Sequence, residues 1–131
     1  MEVNQRFPRT ESLKQKRVFD ALFKGANKSF QHPVMALWKR IPLPENVPAQ
    51  IGLSVPKKHF KKAVDRNTIK RRLREAYRLN KHIIHAPLLE RKEQIAVVFI
   101  VLKTDNTSYD ILGTKMMLLL RSVEAKINDV Q

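Results

Sequence analysis

Between positions 57 and 81 the chain carries Lys57, Lys58, Lys61, Lys62, Arg66, Lys70, Arg71, Arg72, Arg74, Arg78 and Lys81, opposed only by Asp65 and Glu75. The chemistry open to such a cluster is anion gripping. Guanidinium forks take phosphate oxygens two at a time, and ammonium groups act as point charges. The whole chain has a formal net charge of +14 over 131 residues, so most of the excess sits in this one segment. An ordinary solvated helix would mix signs to gain i,i+4 pairs; charge concentrated in this way marks a polyanion site.

Other chemistry is poorly supplied. Two-metal phosphodiester hydrolysis needs clustered carboxylates, and the 12 acids form no D-x-D or E-x-x-H arrangement. Asp105 and Asp110 stand beside an expected helix start, where capping is their role. His82 and His85 are spaced i,i+3 but lack a third ligand, whereas zinc takes three or four; they are expected to serve a helix C-terminus or to face solvent. No Ser-His-Asp set and no glycine-rich phosphate loop is visible. The sequence therefore offers no catalytic residue, no metal site and no cofactor bound by the protein itself.

The basic segment must be held by something. On a helix from 66 to 81, Ile69, Leu73, Ala76, Tyr77 and Asn80 share one side, while Asn67, Lys70, Arg71, Arg74, Arg78 and Lys81 share the other. Arg66 and Arg72 flank the apolar stripe, with stems able to cover the core edge. Asp65 is the expected N-cap. Such a helix docks by its apolar face and turns a self-repelling ridge outward.

The remaining elements supply the scaffold. SLKQKRVFDALFKG (12–25) reads as a first helix, with Ser12 and Gln15 as a capping box and Gly25 at its end. Segments 33–40 and 49–56 read as strands, separated by the proline-rich loop 41–48. The apolar, β-branched run 94–103 is expected to be a central buried strand. A last helix should start near Thr107 or Ser108 and reach Ile127. Residues 82–93, with Pro87, should include loop. The expected order is α-β-β-α-β-α: an α/β (α+β) sandwich of one small mixed sheet with helices on it, the basic helix lying inside a βαβ unit. At this length the chain is expected to be a single RNA-binding domain spanning 1–131, with 1–11 as a flexible N-terminal arm.

An anionic membrane is a rival polyanion, but the docked face of the basic helix is built of small and intermediate residues and no apolar run approaches a transmembrane length. MEVNQRFPRT has no secretory apolar core. With no cysteine, a cytoplasmic location is expected. Nucleic acid is the better partner.

GLSVPKKHFKKAVDRNTIKRRLREAYR (52–78) resembles the signature of the bacterial ribonuclease P protein subunit family. The residues carrying the likeness are Gly52, Leu53, Ser54, Val55, Lys57, Lys58, Ala63, Val64, Arg66, Asn67, Lys70, Arg71 and Arg74. VFDALFKG (18–25) is similar to the family's first helix, with Phe19 and Phe23 at its aromatic positions. The chain departs from the pattern in three places. Thr68 replaces an arginine, HFKK (59–62) is one residue longer than usual, and Trp38 stands two residues from the position of the family's strand aromatic, near Ala36.

The resemblance implies a non-catalytic subunit of the endoribonuclease that removes the 5′ leader of precursor tRNA, with hydrolysis left to an RNA subunit and its Mg²⁺. It implies RNA contacts at Lys57, Lys58, Arg66, Asn67, Lys70, Arg71, Arg74 and Arg78. It also implies a leader cleft lined by Phe19, Phe23 and Trp38. The implied partners are the RNA subunit and precursor tRNA, with no membrane. The competing reading is a ribosomal or RNA-chaperone-like basic module with no enzyme partner, which has no reason to reproduce the ordered Gly-Leu-Ser-Val, Lys-Lys, Arg-Asn-x-x-Lys-Arg series.

Overall fold

The computed structural model describes residues 7–129. A four-stranded mixed sheet is built from β1 (Asn27–Gln31), β2 (Val34–Arg40), β3 (Ala49–Ser54) and β4 (Ile95–Val101). Its spatial order is β1-β2-β4-β3, with β3 and β4 parallel and the other pairs antiparallel. Helix α1 (Lys16–Gly25) covers one face; α2 (Ala63–Asn80), α3 (His82–Arg91) and α4 (Tyr109–Asn128) cover the other. The expected single mixed sheet with packed helices is present, and β3, α2 and β4 form the expected βαβ connection, with α3 added to it.

Periodicity explains the strongest elements. All of IAVVFIV in β4 is buried, as a central strand covered on both faces requires. In α4 the buried stripe Leu112, Met116, Leu119, Leu120, Val123 and Ile127 keeps helical spacing. Ser108 caps this helix, its hydroxyl accepting from the Ile111 N–H at 3.4 Å.

Four expectations about element ends and connections are corrected. Ser12 does not cap α1: it closes a 3-10 turn over Arg9–Glu11 and bridges Ile51 at the β3 edge, and the Leu13 N–H donates to the Ile51 carbonyl at 2.9 Å. A strand edge with free carbonyls outcompeted the capping box, and α1 begins only at Lys16. Helix α2 starts at Ala63 with Lys62 as N-cap residue, which leaves Asp65 in the first turn, a place that suits the positive helix end.

Residues 82–91 are helical in spite of Pro87, because burial of Ile83, Ile84 and Leu88 offsets the one backbone bond that proline removes. Lys92 then stops α3 in a left-handed conformation, φ 57°, with the Glu93 N–H returning to the Leu88 carbonyl. Strand β1 escaped the sequence reading because NKSFQ is mostly polar and exposed; only Ser29 is buried, bonded to Ser122 of α4 at 3.1 Å. The order is thus α-β-β-β-α-α-β-α.

The expected N-terminal arm is in part a strap. Residues 1–6 lie outside the described residues, but Phe7 packs edge-on against Tyr77, and Glu11 is buried in a pair with Lys81.

Candidate nucleic-acid interface

The basic ridge is real. Ile69, Leu73, Ala76 and Tyr77 bury one face of α2. On the far side Asn67, Arg71 and Arg74 are exposed, with Lys70 and Arg78 partly so. Lys57 and Lys58 stand exposed in the turn between β3 and α2. Arg78 is tied to Glu75 by its Nε at 2.7 Å, one turn back on the same helix. Arg66 serves the fold as well as the surface: one guanidinium nitrogen donates to the Phe60 and Lys61 carbonyls at 2.8 and 2.9 Å, clamping the loop into the helix start.

Lys81 does not belong to the ridge. It is 1% exposed and donates to both Glu11 carboxylate oxygens, at 3.0 and 3.1 Å. Burial raises the Glu11 carboxyl above its ordinary value, and the Lys81 ammonium draws it part of the way back. His85 is likewise internal, sharing a 2.8 Å hydrogen bond with the Tyr77 hydroxyl. Burial, then the nearby Lys81 and His82 charges, pushes its imidazole down to about 3, so it is neutral. Burial and the Glu11 charge push the Tyr77 hydroxyl well up, so it too stays neutral. The expectation that His85 faces a helix end or solvent is therefore corrected. His82 is exposed, as expected.

The face under α1 is built differently. Leu13, Val18 and Leu22 pack on Leu37, Ala96, Val98 and Ile100. Phe19 lies over β3, where a Cβ on Gly52 would come within 2.8 Å of its ring; Gly52 is the seat of that ring. Phe23, one turn on, is 59% exposed. Trp38 is not in this cleft. It is 1% exposed and belongs to the core under α2–α4, with the Arg40 guanidinium 5.6 Å from its ring centre. Ala36 and Trp38 do share a strand face, but it is the opposite face; Met35 and Leu37 are the β2 side chains turned to α1.

Register extends this surface into a row. Phe30 pairs with Met35, Met35 with Ile100, and Ile100 with Ser54, so one line crosses all four strands on the α1 side. It ends beside the Lys57–Lys58 turn. At its β1 end a hollow of about 350 Å³ is lined by Phe23, Lys24, Lys28, Met35 and Ile100, among others. Phe30, Lys24 and Lys28 escaped the sequence reading; the available signal was an aromatic in an otherwise polar segment. Among the described residues no group of three or more His, Asp or Glu side chains could hold a metal ion, and no helix is long and apolar enough to cross a membrane.

The model of the family described as Ribonuclease P matches residues 7–124. The chain belongs to this family. A ribonuclease P protein component from Porphyromonas gingivalis is 47% identical over 53 residues, covering 40% of this chain and 39% of that protein. One from Geobacter is 40% identical over 77 residues, covering 59% and 63%. These matches thus span less than two thirds of either relative. The Thermotoga maritima RNase P protein has the same fold at 23% identity, with a TM-score of 0.66 over 86% of this chain and 96% of that one.

Two departures from the ribonuclease P pattern have structural accounts. The Thr68 hydroxyl donates back to the Val64 carbonyl at 2.9 Å, and one guanidinium nitrogen of the half-buried Arg72 donates to the Thr107 carbonyl at 2.6 Å, which directs that side chain toward the loop before α4. The longer HFKK turn closes on Pro56, whose carbonyl accepts from the His59 and Phe60 N–H groups, and Arg66 clamps its far side.

Proposed function

We propose that this chain is the non-catalytic protein subunit of ribonuclease P. In this reading it binds the RNA subunit through α2 and its preceding turn, and holds the single-stranded 5′ leader of precursor tRNA on the α1 face. Lys57, Lys58, Asn67, Lys70, Arg71, Arg74 and Arg78 grip phosphates of structured RNA, while Arg66 sets the loop and lends its remaining donors. Phe19 and Phe23 supply flat surfaces on which unpaired bases stack with little sequence preference. Hydrolysis belongs to the RNA subunit and its Mg²⁺, and the site of action is the cytoplasm.

The observation that carries the reading is the row from Phe30 to Ser54. It leaves apolar surface open beside α1 and runs out at Lys57 and Lys58, where the basic turn begins. A basic, aromatic-floored track of this kind suits a single strand. Mature tRNA lacks the leader, so the subunit favours substrate over product and eases product release.

The test is reconstitution. Purified protein, a ribonuclease P RNA and precursor tRNA are combined at low Mg²⁺, and leader removal is followed. The protein should speed cleavage by the RNA and cleave nothing alone. Binding to the RNA with no effect on cleavage would contradict this reading and favour a plain RNA-binding module.

A further inference from the structure

We propose that the hollow between the first half of α2 and the loop before α4 takes an unpaired guanine of the RNA that the ridge grips. Phe60 stacks on the base, and Asp105 accepts from its Watson–Crick edge. This rests on the reading of α2 as an RNA-binding helix and adds to it a position that reads a base.

The two departures from the family pattern meet in this hollow. It has a volume of about 340 Å³, at the small end for a ligand cleft, and Thr68 and Phe60 both line it. Thr68 is short and its hydroxyl is turned back to the Val64 carbonyl, which leaves open the space that an arginine side chain here would enter. The longer HFKK turn brings in Phe60, half-buried against the core and met edge-on by the His59 ring at 6.5 Å between centres. Ile69, 2% exposed, forms the floor. The Arg72 guanidinium, bonded to the Thr107 carbonyl at 2.6 Å, ties the loop to the helix and closes one wall. Asp65, Thr68, Ile69 and Arg72 stand at i, i+3, i+4 and i+7, on one side of α2. Asn67, Lys70, Arg71 and Arg74 take the adjacent side, so RNA on the ridge lies beside the hollow.

The polar groups select the base. Asp65 and Asp105 are the carboxylates of the hollow, and neither is in an ion pair among the described residues. Beside a ridge suited to phosphates, a carboxylate repels the RNA backbone but can accept from a base. Asp65 serves the positive end of α2, and Ser108 caps α4 in place of Asp105, so Asp105 is the carboxylate the fold leaves unused. An ionised carboxylate only accepts. Guanine alone among the four bases sets two donors side by side on its Watson–Crick edge, N1–H and N2–H. Adenine, cytosine and uracil each place an acceptor next to their donor. Unpaired RNA exposes that edge, and stacking on an aromatic ring leaves it free to meet a carboxylate.

The test measures affinity of the full chain for an RNA hairpin with one loop guanosine among uridines. The same hairpin with inosine or adenosine in its place is compared, over a series of salt concentrations. Wild type should prefer guanosine to adenosine about ten-fold, the discrimination of one bidentate base contact, with inosine, which lacks the N2 amino group, between them. Asp105 is exposed, so Asp105→Ala should fold normally; it should bring guanosine and adenosine to within about two-fold of each other. Thr68→Arg should fill the hollow and erase the preference too, while steepening the salt slope by about 0.7 to 0.9, one added phosphate contact. Equal wild-type affinity for the guanosine and adenosine hairpins, with the salt dependence intact, overturns this proposal and leaves the ridge reading standing. A guanosine preference that survives in Asp105→Ala does the same. A salt slope near zero for every hairpin would sink the ridge reading itself, and this site with it.

Discussion

On the sheet face covered by α2, α3 and α4, Val34, Ala36, Trp38, Ile51, Val97, Phe99 and Val101 are sealed into one core. On the other face α1, ten residues long, covers Leu37, Ala96 and Val98 and leaves Met35 half-buried and Phe30 exposed. Both faces descend from the same strands by simple alternation. What separates them is how much helix each receives, and the incompletely covered one is where a ligand can lie. The first face carries the larger buried core, and the proposed function assigns recognition to the second, with the α2 ridge as a further proposed recognition surface backed by the first.

The largest effect should come from putting charge into the sealed face. Leu73→Asp buries an unpaired carboxylate and should cost more than about 4 kcal/mol, enough to unfold the protein. Arg74→Glu, one residue along and exposed, should leave the melting temperature nearly unchanged while weakening RNA binding. Equal loss of stability in the two variants, read by thermal denaturation, would erase the distinction between the faces.

Next comes the ion pair that straps the N-terminus to the α2–α3 junction. Lys81→Met strands the Glu11 carboxylate and should cost about 3–5 kcal/mol in denaturant titration. Adding Glu11→Leu should recover much of that loss. No recovery would show that Lys81 acts through packing and not through its charge.

His85 sharpens the comparison through pH. Its value of about 3 in the fold lies below the ordinary 6.5, so the unfolded chain takes up the proton first. The stability owed to neutral His85 is complete above pH 6.5 and falls as pH drops toward 3, by about 1.4 kcal/mol per unit. Glu11, whose carboxyl is raised, works the opposite way at the acid end. His85→Gln should flatten the fall between pH 6.5 and 5; an unchanged profile would place the titrating group elsewhere.

On the thinly covered face the effects are smaller. A Cβ at Gly52 would meet the Phe19 ring at 2.8 and 2.9 Å and Val98 at 3.3 Å. Gly52→Ala should therefore cost about 1–3 kcal/mol. In a Phe19→Leu background the cost should shrink, a coupling that a double-mutant cycle reads directly.

Much of this was legible in the sequence, and the parts that were not share a cause. The β4 run, the α4 stripe and the two sides of α2 are local patterns, and they stand. Alternation puts Ala36 and Trp38 on one face of β2, but nothing local says which face meets α1, and the fold turns Trp38 away from it. Lys81 falls at the ridge's helical angle, and only the strap seventy residues away turns it into a core residue. Pro87 predicts a break because its local cost is plain, while the packing that offsets it is tertiary. Phe30 was overlooked because β1 is held mostly by its pairing with β2, which a polar five-residue segment does not announce.

The most direct test of the division between faces is the preference of the holoenzyme for precursor over mature tRNA, compared between wild type and Phe23→Ala at one fixed salt concentration. Phe23 is exposed, so its loss should leave folding and binding of the RNA subunit intact. The account predicts that wild type prefers the precursor and that Phe23→Ala cuts this preference about ten-fold, the worth of one stacked base, with affinity for mature tRNA unchanged. An identical preference in the two proteins, or an equal fall for both tRNAs, would contradict it.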